Sequence, residues 1–283
     1  MPPTGTCGGR WASERAGSRS GTAADDERVT ALAIVLGLAI GVIVGAVGGG
    51  GAILALPVLV YVLGEPVGPA STASLVVVSL AAAIGAGALA RHGRVCWRIA
   101  FTFAAPAALG SLAGTIASHE IEGSVLILAF VPVMLLAAVL TWKRAGEDGD
   151  DGACPDAPLD RTLLAGLLVG LLTGFFGVGG GFVIVPVLSV WLGVPFRRAV
   201  ATSLVIITLT GLAALASHLA AGSRPDLAVT LTLSLATGAG ALLGTTVGER
   251  VPQSLLRRGF AVLVGTVAVA LLADVLVLGG PPR

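Results

Sequence analysis

Two glycine clusters decide how this chain folds. The first, GAVGGGGAILALP, runs from Gly45 to Pro57, and the second, GFFGVGGGFVIVP, runs from Gly174 to Pro186. They lie inside the long apolar stretches Val29–Gly64 and Thr162–Gly193, which exceed the roughly 20 residues that one membrane-spanning helix needs. Because consecutive glycines have little tendency to continue a helix, each stretch is predicted to form a helix, a break and a shorter helix.

The composition is that of an integral membrane protein. Of the 283 residues, 55% are hydrophobic and 12% are charged, whereas soluble domains carry about 25% charged residues. The 41 glycines suit helices that approach closely in lipid. We therefore predict an all-α integral membrane fold. The other stretches that are long and apolar enough to cross a bilayer are Ala70–Ala90, Ile99–Ser118, Gly123–Trp142, Ala199–Ser217, Leu227–Gly248 and Gly259–Val277.

An internal duplication divides the chain into two homologous repeats of about four transmembrane segments each. Each repeat starts with a glycine-broken helix, an organisation typical of secondary transporters. We predict a disordered polar tail at 1–28, membrane repeat 1 at 29–142, a polar linker at 143–161 and membrane repeat 2 at 162–283. A shift of 129 residues places Gly41, Gly45, Gly48, Gly50, Gly51 and Pro57 on Gly170, Gly174, Gly177, Gly179, Gly180 and Pro186.

The direction of the repeats is left open by the loop charges. Cytoplasmic loops are enriched in Lys and Arg. If each broken stretch crosses the membrane once, the repeats are parallel; if each folds back to its own side, they are inverted. The counts of Lys and Arg depend on the polar tail and favour inverted repeats only slightly.

The glycine breaks predict an anion site. The first N–H groups of a helix have no intrahelical partner and carry partial positive charge, and glycine lets a ligand approach them closely. Close packing of helices is the alternative role for the glycines, and bonding back to their own helix is the alternative for the hydroxyls. The candidate substrate-binding residues are Gly48, Gly49, Gly50, Gly51, Ser71, Thr72 and Ser74 in the first repeat, and Gly177, Gly179, Gly180, Gly181, Thr202 and Ser203 in the second.

Other kinds of site find little support in the sequence. No apolar stretch has a carboxylate at its centre, so a cation site of the kind that membrane carboxylates build is not expected. No basic stripe indicates nucleic-acid binding. Cys7, Cys96 and Cys154 are odd in number and form no CxxC pair, so we predict neither a disulfide framework nor a zinc site. We expect no metal and no cofactor.

The chain resembles the sulfite exporter TauE/SafE family. The resemblance rests on the duplication, the G-x-x-G-x-G-G-G pattern at Gly174–Gly181, its looser copy at Gly45–Ala52, and the proline that follows each. Ala-Thr-Ser-Leu at Ala201–Leu204 also matches the family, whereas the first half has Thr-Ala-Ser-Leu at Thr72–Leu75. The resemblance implies a multi-pass permease of the inner cell membrane for small sulfur-containing anions such as sulfite or organosulfonates.

Three functions compete at this point. The first is such a permease, working by alternating access around the glycine-lined backbone site. The second is a membrane scaffold or assembly protein without transport. The third, a membrane-embedded enzyme, is disfavoured because no nucleophile–base pair or metal motif occurs in the apolar stretches. The expected partners are the lipid bilayer and a small inorganic or organosulfur anion, and homo-oligomer formation is left open.

Overall fold

The computed structural model describes residues 23–49, 55, 58–59, 67–118, 123–146, 152–176, 181–220 and 227–277. These residues form α-helices and short 3₁₀ and π turns, and none of them forms a strand. The helices are α1 (Ala23–Val47), α2 (Val67–Arg91), α3 (Trp97–Ser118), α4 (Gly123–Lys143), α5 (Leu159–Phe176), α6 (Gly181–Pro186), α7 (Phe196–Ala220), α8 (Leu227–Arg250) and α9 (Gln253–Val277). A 3₁₀ turn at Arg144–Gly146 follows α4, and a π turn at Val187–Trp191 continues α6.

The helices follow the predicted apolar stretches with small differences at their ends. Helix α1 begins at Ala23, inside the segment that the sequence predicts as a disordered tail. Residues 1–22 lie outside the described part of the chain. Helices long and apolar enough to cross a membrane cover Thr72–Arg91, Phe196–Ala216, Thr230–Arg250 and Gln253–Ala273, with shorter apolar helices at Ala31–Val47, Ala129–Lys143 and Gly181–Trp191.

Two helix pairs pack most closely, α1 with α8 and α3 with α5. In the first pair, a methyl group added at Gly41 would overlap the Thr237 carbonyl, and one at Gly45 would overlap that of Ala241. In the second pair, added methyl groups at Gly170 and Gly174 would overlap the backbones of Ala107 and Ser111. Within each pair, the residue numbers of the contacting positions increase together along the two helices. The helices of each pair are therefore parallel.

The contacts of the two pairs are related by the shift between the predicted repeats. Moving Gly41 by 129 residues gives Gly170, and the residue that each abuts, Thr237 or Ala107, is displaced by almost the same interval. The relation also holds in reverse: Gly240 abuts Leu38, and Gly110 abuts Leu167. Helices α2 and α7 contact each other, as do α4 and α9. Such reciprocal contacts are expected if the two halves are duplicated units, and the duplication itself stays a prediction.

One end of the bundle gathers most of the cations, and hydrogen bonds tie its segments together. Arg198 donates to the carbonyls of Gly93 and Gly152 at 3.0 and 2.7 Å. Arg197 donates to those of Glu249 and Val251 at 2.9 and 3.0 Å, and Arg257 donates to that of Arg144. We call this end the arginine-rich face; its cations are Arg91, Arg94, Arg98, Lys143, Arg144, Arg161, Arg197, Arg198, Arg250, Arg257 and Arg258.

The directions of the helices follow from which of their ends lie at this face. Helix α8 ends at this face with Arg250, so α1, which runs parallel to it, also points toward the face. Helix α2 ends there too, at Arg91. Helix α3 starts at the face, so its parallel partner α5 points away from it, whereas α7 starts at the face with Phe196. The first helices of the two halves, α1 and α5, therefore run in opposite directions.

The outer surface suits lipid. Large apolar side chains project from the bundle, including Leu235 at 71%, Leu109 at 67% and Val35 at 63% exposed, a surface that lipid covers favourably and water does not. Trp97 and Trp142, about half exposed, lie at the arginine-rich face, where amphipathic indoles typically mark the boundary between membrane and water. The chain is an integral membrane protein by these features.

The structure corrects the sequence interpretation of the cysteines. Cys96, directly before α3, and Cys154, in the linker, form a disulfide with Cα atoms 5.8 Å apart. The odd total of three cysteines concealed this pair in the sequence. The third, Cys7, lies outside the described residues. The partners are 58 residues apart and meet only because the linker folds over the start of α3.

Candidate functional site

The two glycine clusters meet in the structure. A methyl group added at Gly49 would overlap the backbone of Gly181, and one added at Gly181 would lie 2.7 Å from the Gly49 Cα and 3.0 Å from the Ile207 Cδ1. Both distances are below ordinary van der Waals contact. Two backbones from distant parts of the chain therefore touch here with no side chain between them, which only glycine at both positions permits.

The end of α1 is shaped by Gly48. The helix ends at Val47, and Gly48 has φ of +81°, in the left-handed region that side chains with a Cβ rarely adopt. An added Cβ would also lie 2.8 Å from the Ser203 Oγ and 3.1 Å from the Val185 Cγ2. Glycine at this position thus turns the chain and admits the close approach of α6 and α7.

Two of the candidate hydroxyls, those of Ser203 and Thr202, form hydrogen bonds with backbone groups. Ser203 donates from Oγ to the Val200 carbonyl at 2.8 Å, the back-bonding that is the alternative role for a helical serine. Thr202 accepts at Oγ1 from the Cys96 N–H at 3.1 Å. Both side chains are fully buried, as is Thr72, whereas Ser74 is half-buried.

The structure thus brings part of the predicted site together. Gly48, Gly49, Gly181 and Ser203 lie against one another, and Thr202 lies next to them in the chain. Thr72 and Ser74 belong to α2, which packs against α7. Outside the described residues are Gly50, Gly51, Gly177, Gly179 and Gly180, together with the side chain of Ser71.

Aromatic packing holds α6 at this contact. Phe182, next to Gly181, is 1% exposed and meets the ring of Phe130 edge-to-face with centroids 5.2 Å apart. Phe130 belongs to α4, in the other half of the chain. The start of α6 is therefore fixed by a side chain buried between halves, which keeps Gly181 against Gly49.

A narrow cleft lies between this contact and the arginine-rich face. Gly45, Val200, Arg94, Arg197 and Glu249 line it. Val200 also borders Gly48, since its Cα lies 3.5 Å from the position of an added Gly48 Cβ. Arg94 faces Glu249 across the cleft, with the Nε and Oε1 atoms 4.0 Å apart. Val200 thus links the lining of the cleft to the end of α1.

Arg197 is a candidate that sequence reasoning missed. Its two Nη atoms hold backbone carbonyls, but its Nε is buried without a hydrogen-bond partner, and a buried donor left unpaired costs about 1–3 kcal/mol. A bound anion would satisfy it. The sequence feature that could have indicated it is the pair Arg197–Arg198, which follows the second broken stretch shortly after Pro195.

Ser79 is a second missed candidate. It is 4% exposed, and its Oγ has no hydrogen-bond partner. It faces Gly211 on α7, because a Cβ added at Gly211 would lie 3.3 Å from the Ser79 Cβ. Gly211 is one helical turn beyond Ile207, which touches Gly181. Ser79 thus offers a hydroxyl on the side of the glycine contact away from the arginine-rich face. Among the described residues no group of His, Cys, Asp or Glu could hold a metal ion.

Comparison with known proteins agrees with the membrane fold. The sulfite exporter TauE/SafE family matches residues 33–271. A Xylella fastidiosa (strain Temecula1) protein named as a probable membrane transporter is 34% identical over 248 residues, covering 81% of this chain and 90% of the relative. A similarly named Methanocaldococcus jannaschii protein is 26% identical over 255 residues, covering 85% and 94%. No solved structure matches. The extent of the family match shows that this membrane protein belongs to the sulfite exporter TauE/SafE family of transporters.

Proposed function

We propose that this transporter moves small sulfur-containing anions, such as sulfite or organosulfonates, across the inner cell membrane. The observation that carries the proposal is the contact of Gly49 with Gly181. It joins the two glycine clusters at one point, as expected if they form a shared substrate site. The family description supplies the substrate class.

The chemistry of the contact favours an anion. The helical segment Gly181–Trp191 starts at the contact, and the first N–H groups of a helix carry partial positive charge. Its neighbours Gly48, Ser203 and Thr202 add no negative charge. Dehydrated anions are therefore stabilised by backbone donors, with Arg197 Nε and Ser79 Oγ as unpaired donors on either side.

Alternating access fits the opposed directions of α1 and α5. If the halves are inverted repeats that share the glycine contact, rocking one half against the other exposes that contact first to one face and then to the other. In this description the Arg94–Glu249 pair and the Arg197 bonds close the cleft at the arginine-rich face. The structure then corresponds to a state closed at that end.

Flux into proteoliposomes tests the proposal. The purified chain is assayed with sulfite, thiosulfate, an alkanesulfonate and a simple carboxylate, with and without a pH gradient. We expect uptake of at least one sulfur anion and little of the carboxylate. Gly49→Ala should reduce this uptake at least tenfold, because the added methyl group separates the two glycine backbones.

Gly87→Ala is the matched control, since a methyl group at Gly87 meets nothing within 4 Å. It should transport like the unaltered chain. If no anion in the panel is transported, the proposal fails and a membrane scaffold becomes the better interpretation. Equal transport by Gly49→Ala and Gly87→Ala would show that the glycine contact is only a packing feature.

A further inference from the structure

A cavity beside the disulfide lies apart from the glycine contact. It has a volume of about 190 Å³, and its lining includes Cys96, Cys154, Arg98, Asp156 and Thr102. Arg98 pairs with Asp156 at its mouth, with Nη1 and Oδ1 3.4 Å apart. The cavity is large enough to admit the reacting end of a small thiol to the sulfur atoms.

The position of the disulfide conflicts with a purely structural role. Both cysteines lie at the arginine-rich face, which the positive-inside rule assigns to the cytoplasm. At the opposite end, Arg28 is the only Lys or Arg among the described residues. Thiols in the cytoplasm are kept reduced, and cytosolic disulfides are usually transient, catalytic or redox-sensing. The pair is therefore expected to open and close in the cell.

The surroundings of the two sulfurs differ in a way that directs exchange. Cys154 is exposed, whereas Cys96 is only 3% exposed, so an incoming thiolate reaches the Cys154 sulfur first. The Cys96 carbonyl accepts from the Ala100 N–H at 2.9 Å, which puts Cys96 at the N-terminus of α3, where a departing thiolate is stabilised. Arg198 Nη1 lies 3.6 Å from the Cys154 Sγ, and this cation stabilises a thiolate at Cys154.

We propose that Cys96–Cys154 is a thiol-exchange site for a low-molecular-weight cytoplasmic thiol. The thiolate attacks the Cys154 sulfur, the Cys96–Cys154 bond breaks, and a mixed disulfide forms at Cys154 while Cys96 leaves as a thiolate. A second thiolate then releases Cys154 and forms the oxidised low-molecular-weight disulfide. That oxidised disulfide reverses both steps and closes the bond again.

Thiol exchange at this site is expected to affect the glycine contact, because hydrogen bonds and close contacts connect the two. The Cys96 N–H is bonded to Thr202, and the neighbouring Ser203 borders Gly48. Arg198, bonded to Gly93 and Gly152, holds the same loop and linker on α7. Opening the disulfide frees the linker from α3, and we expect the transport rate to change. This last step alone rests on the proposed function.

The test uses the full-length chain in membrane vesicles with Cys7→Ser, so that Cys96 and Cys154 are its only thiols. Vesicles exposing the arginine-rich face are incubated with reduced and oxidised glutathione, quenched with acid, alkylated and digested for mass spectrometry. We expect a reversible shift between the bridged and reduced forms, with the glutathione adduct on Cys154. Arg198→Gln should slow exchange about tenfold, and Arg91→Gln on the same face should not.

Two results would overturn the proposal. A bridge that persists in millimolar reduced glutathione would identify a structural disulfide, and thiols that never bridge with oxidised glutathione would show that the pair does not form. Anion flux is measured separately on the same vesicles. Exchange without flux of any anion would retain the thiol site while contradicting the proposed transport function, so the two failures are distinguishable.

Discussion

At the residue scale, the molecule depends on glycine where backbones touch. Gly48 combines a φ of +81° with a contact to Ser203, and Gly49 has no room for a methyl group beside Gly181. An alanine at either position forces the neighbouring backbone or side chain to move. Glycine at these two positions is therefore explained jointly by conformation and by close approach, of which the sequence indicates only the first.

Arg197 provides a residue-scale prediction. Arg197→Gln removes the charge from the cleft between the glycine contact and the arginine-rich face, and a hydrogen bond to a charged group is worth about 1.5–3 kcal/mol. If the buried Nε binds the anion, KM for transport should rise about tenfold or more. Arg197→Lys keeps the charge but loses the forked geometry that holds Glu249 and Val251, so its KM should be intermediate.

Arg91→Gln controls for the general charge of the arginine-rich face. Arg91 is exposed at the end of α2, and its substitution removes the same charge at a distance from the cleft. Initial uptake rates over a range of anion concentrations separate KM from the maximal rate. An unchanged KM in Arg197→Gln, with a melting temperature like that of the unaltered chain, would remove Arg197 from the site.

Part of this site was predictable from the sequence and part was not. The glycines were found because four consecutive glycines interrupt an apolar stretch, a local signal. The bonds of Arg197 and Arg198 join residues between 46 and 105 positions apart. The Cys96–Cys154 bond joins two cysteines that belong to no sequence motif. Such pairings are set by how helices stack, and nothing local in the chain records them.

At the element scale, small residues determine how closely two of the helix pairs pack. The pairs α1–α8 and α3–α5 approach until glycine faces a carbonyl of the partner helix, as expected where lipid provides no hydrophobic drive between helices. Helix extents were predictable because apolar length is a local property. The choice of partner was not, since glycines on several helices could equally have packed together.

Alanine substitutions at these contacts give an element-scale prediction. Gly41→Ala and Gly174→Ala should each destabilise the detergent-solubilised protein by about 1–3 kcal/mol, because the added methyl groups overlap backbone that must shift. Gly265→Ala meets nothing within 4 Å in α9. It should be neutral or stabilising by up to about 1 kcal/mol, since alanine restricts the unfolded chain.

Thermal unfolding followed by intrinsic fluorescence measures these differences. A destabilisation of this size should lower Tm by several degrees, at about 2–4 °C per kcal/mol for chains of similar length. Similar losses at Gly41 and Gly174 would show that close backbone contact stabilises the α1–α8 and α3–α5 pairs to a similar extent. A Tm for Gly41→Ala equal to that of Gly265→Ala would show that α1 and α8 are not in backbone contact.

At the scale of the whole molecule, the contacts favour one of the two topologies that loop charge left open, inverted repeats, which stays a prediction. Arg198 joins the end of α2, the linker and the start of α7 at one face, and Arg197 adds the turn between α8 and α9. These segments are expected to share one face if the two halves are inverted repeats, and to lie on different faces if the halves are parallel. The loop charges alone could not separate the two topologies, because the comparison of the Lys and Arg counts changes with the arginines of the polar tail.

Cysteine labelling tests this topology. In a chain lacking its native cysteines, Arg91→Cys, Lys143→Cys and Arg250→Cys each introduce one thiol at an exposed position of the arginine-rich face. All three should react with a membrane-impermeant maleimide from the same side, the cytoplasmic side by the positive-inside rule. Asp26→Cys, at the start of α1, should react from the other side. If the halves were parallel and each crossed the membrane four times, Asp26 and Arg91 would share one side of the membrane and Arg250 would lie on the other. Labelling of Arg91→Cys and Asp26→Cys from one side, and of Arg250→Cys from the other, would therefore contradict the inverted arrangement.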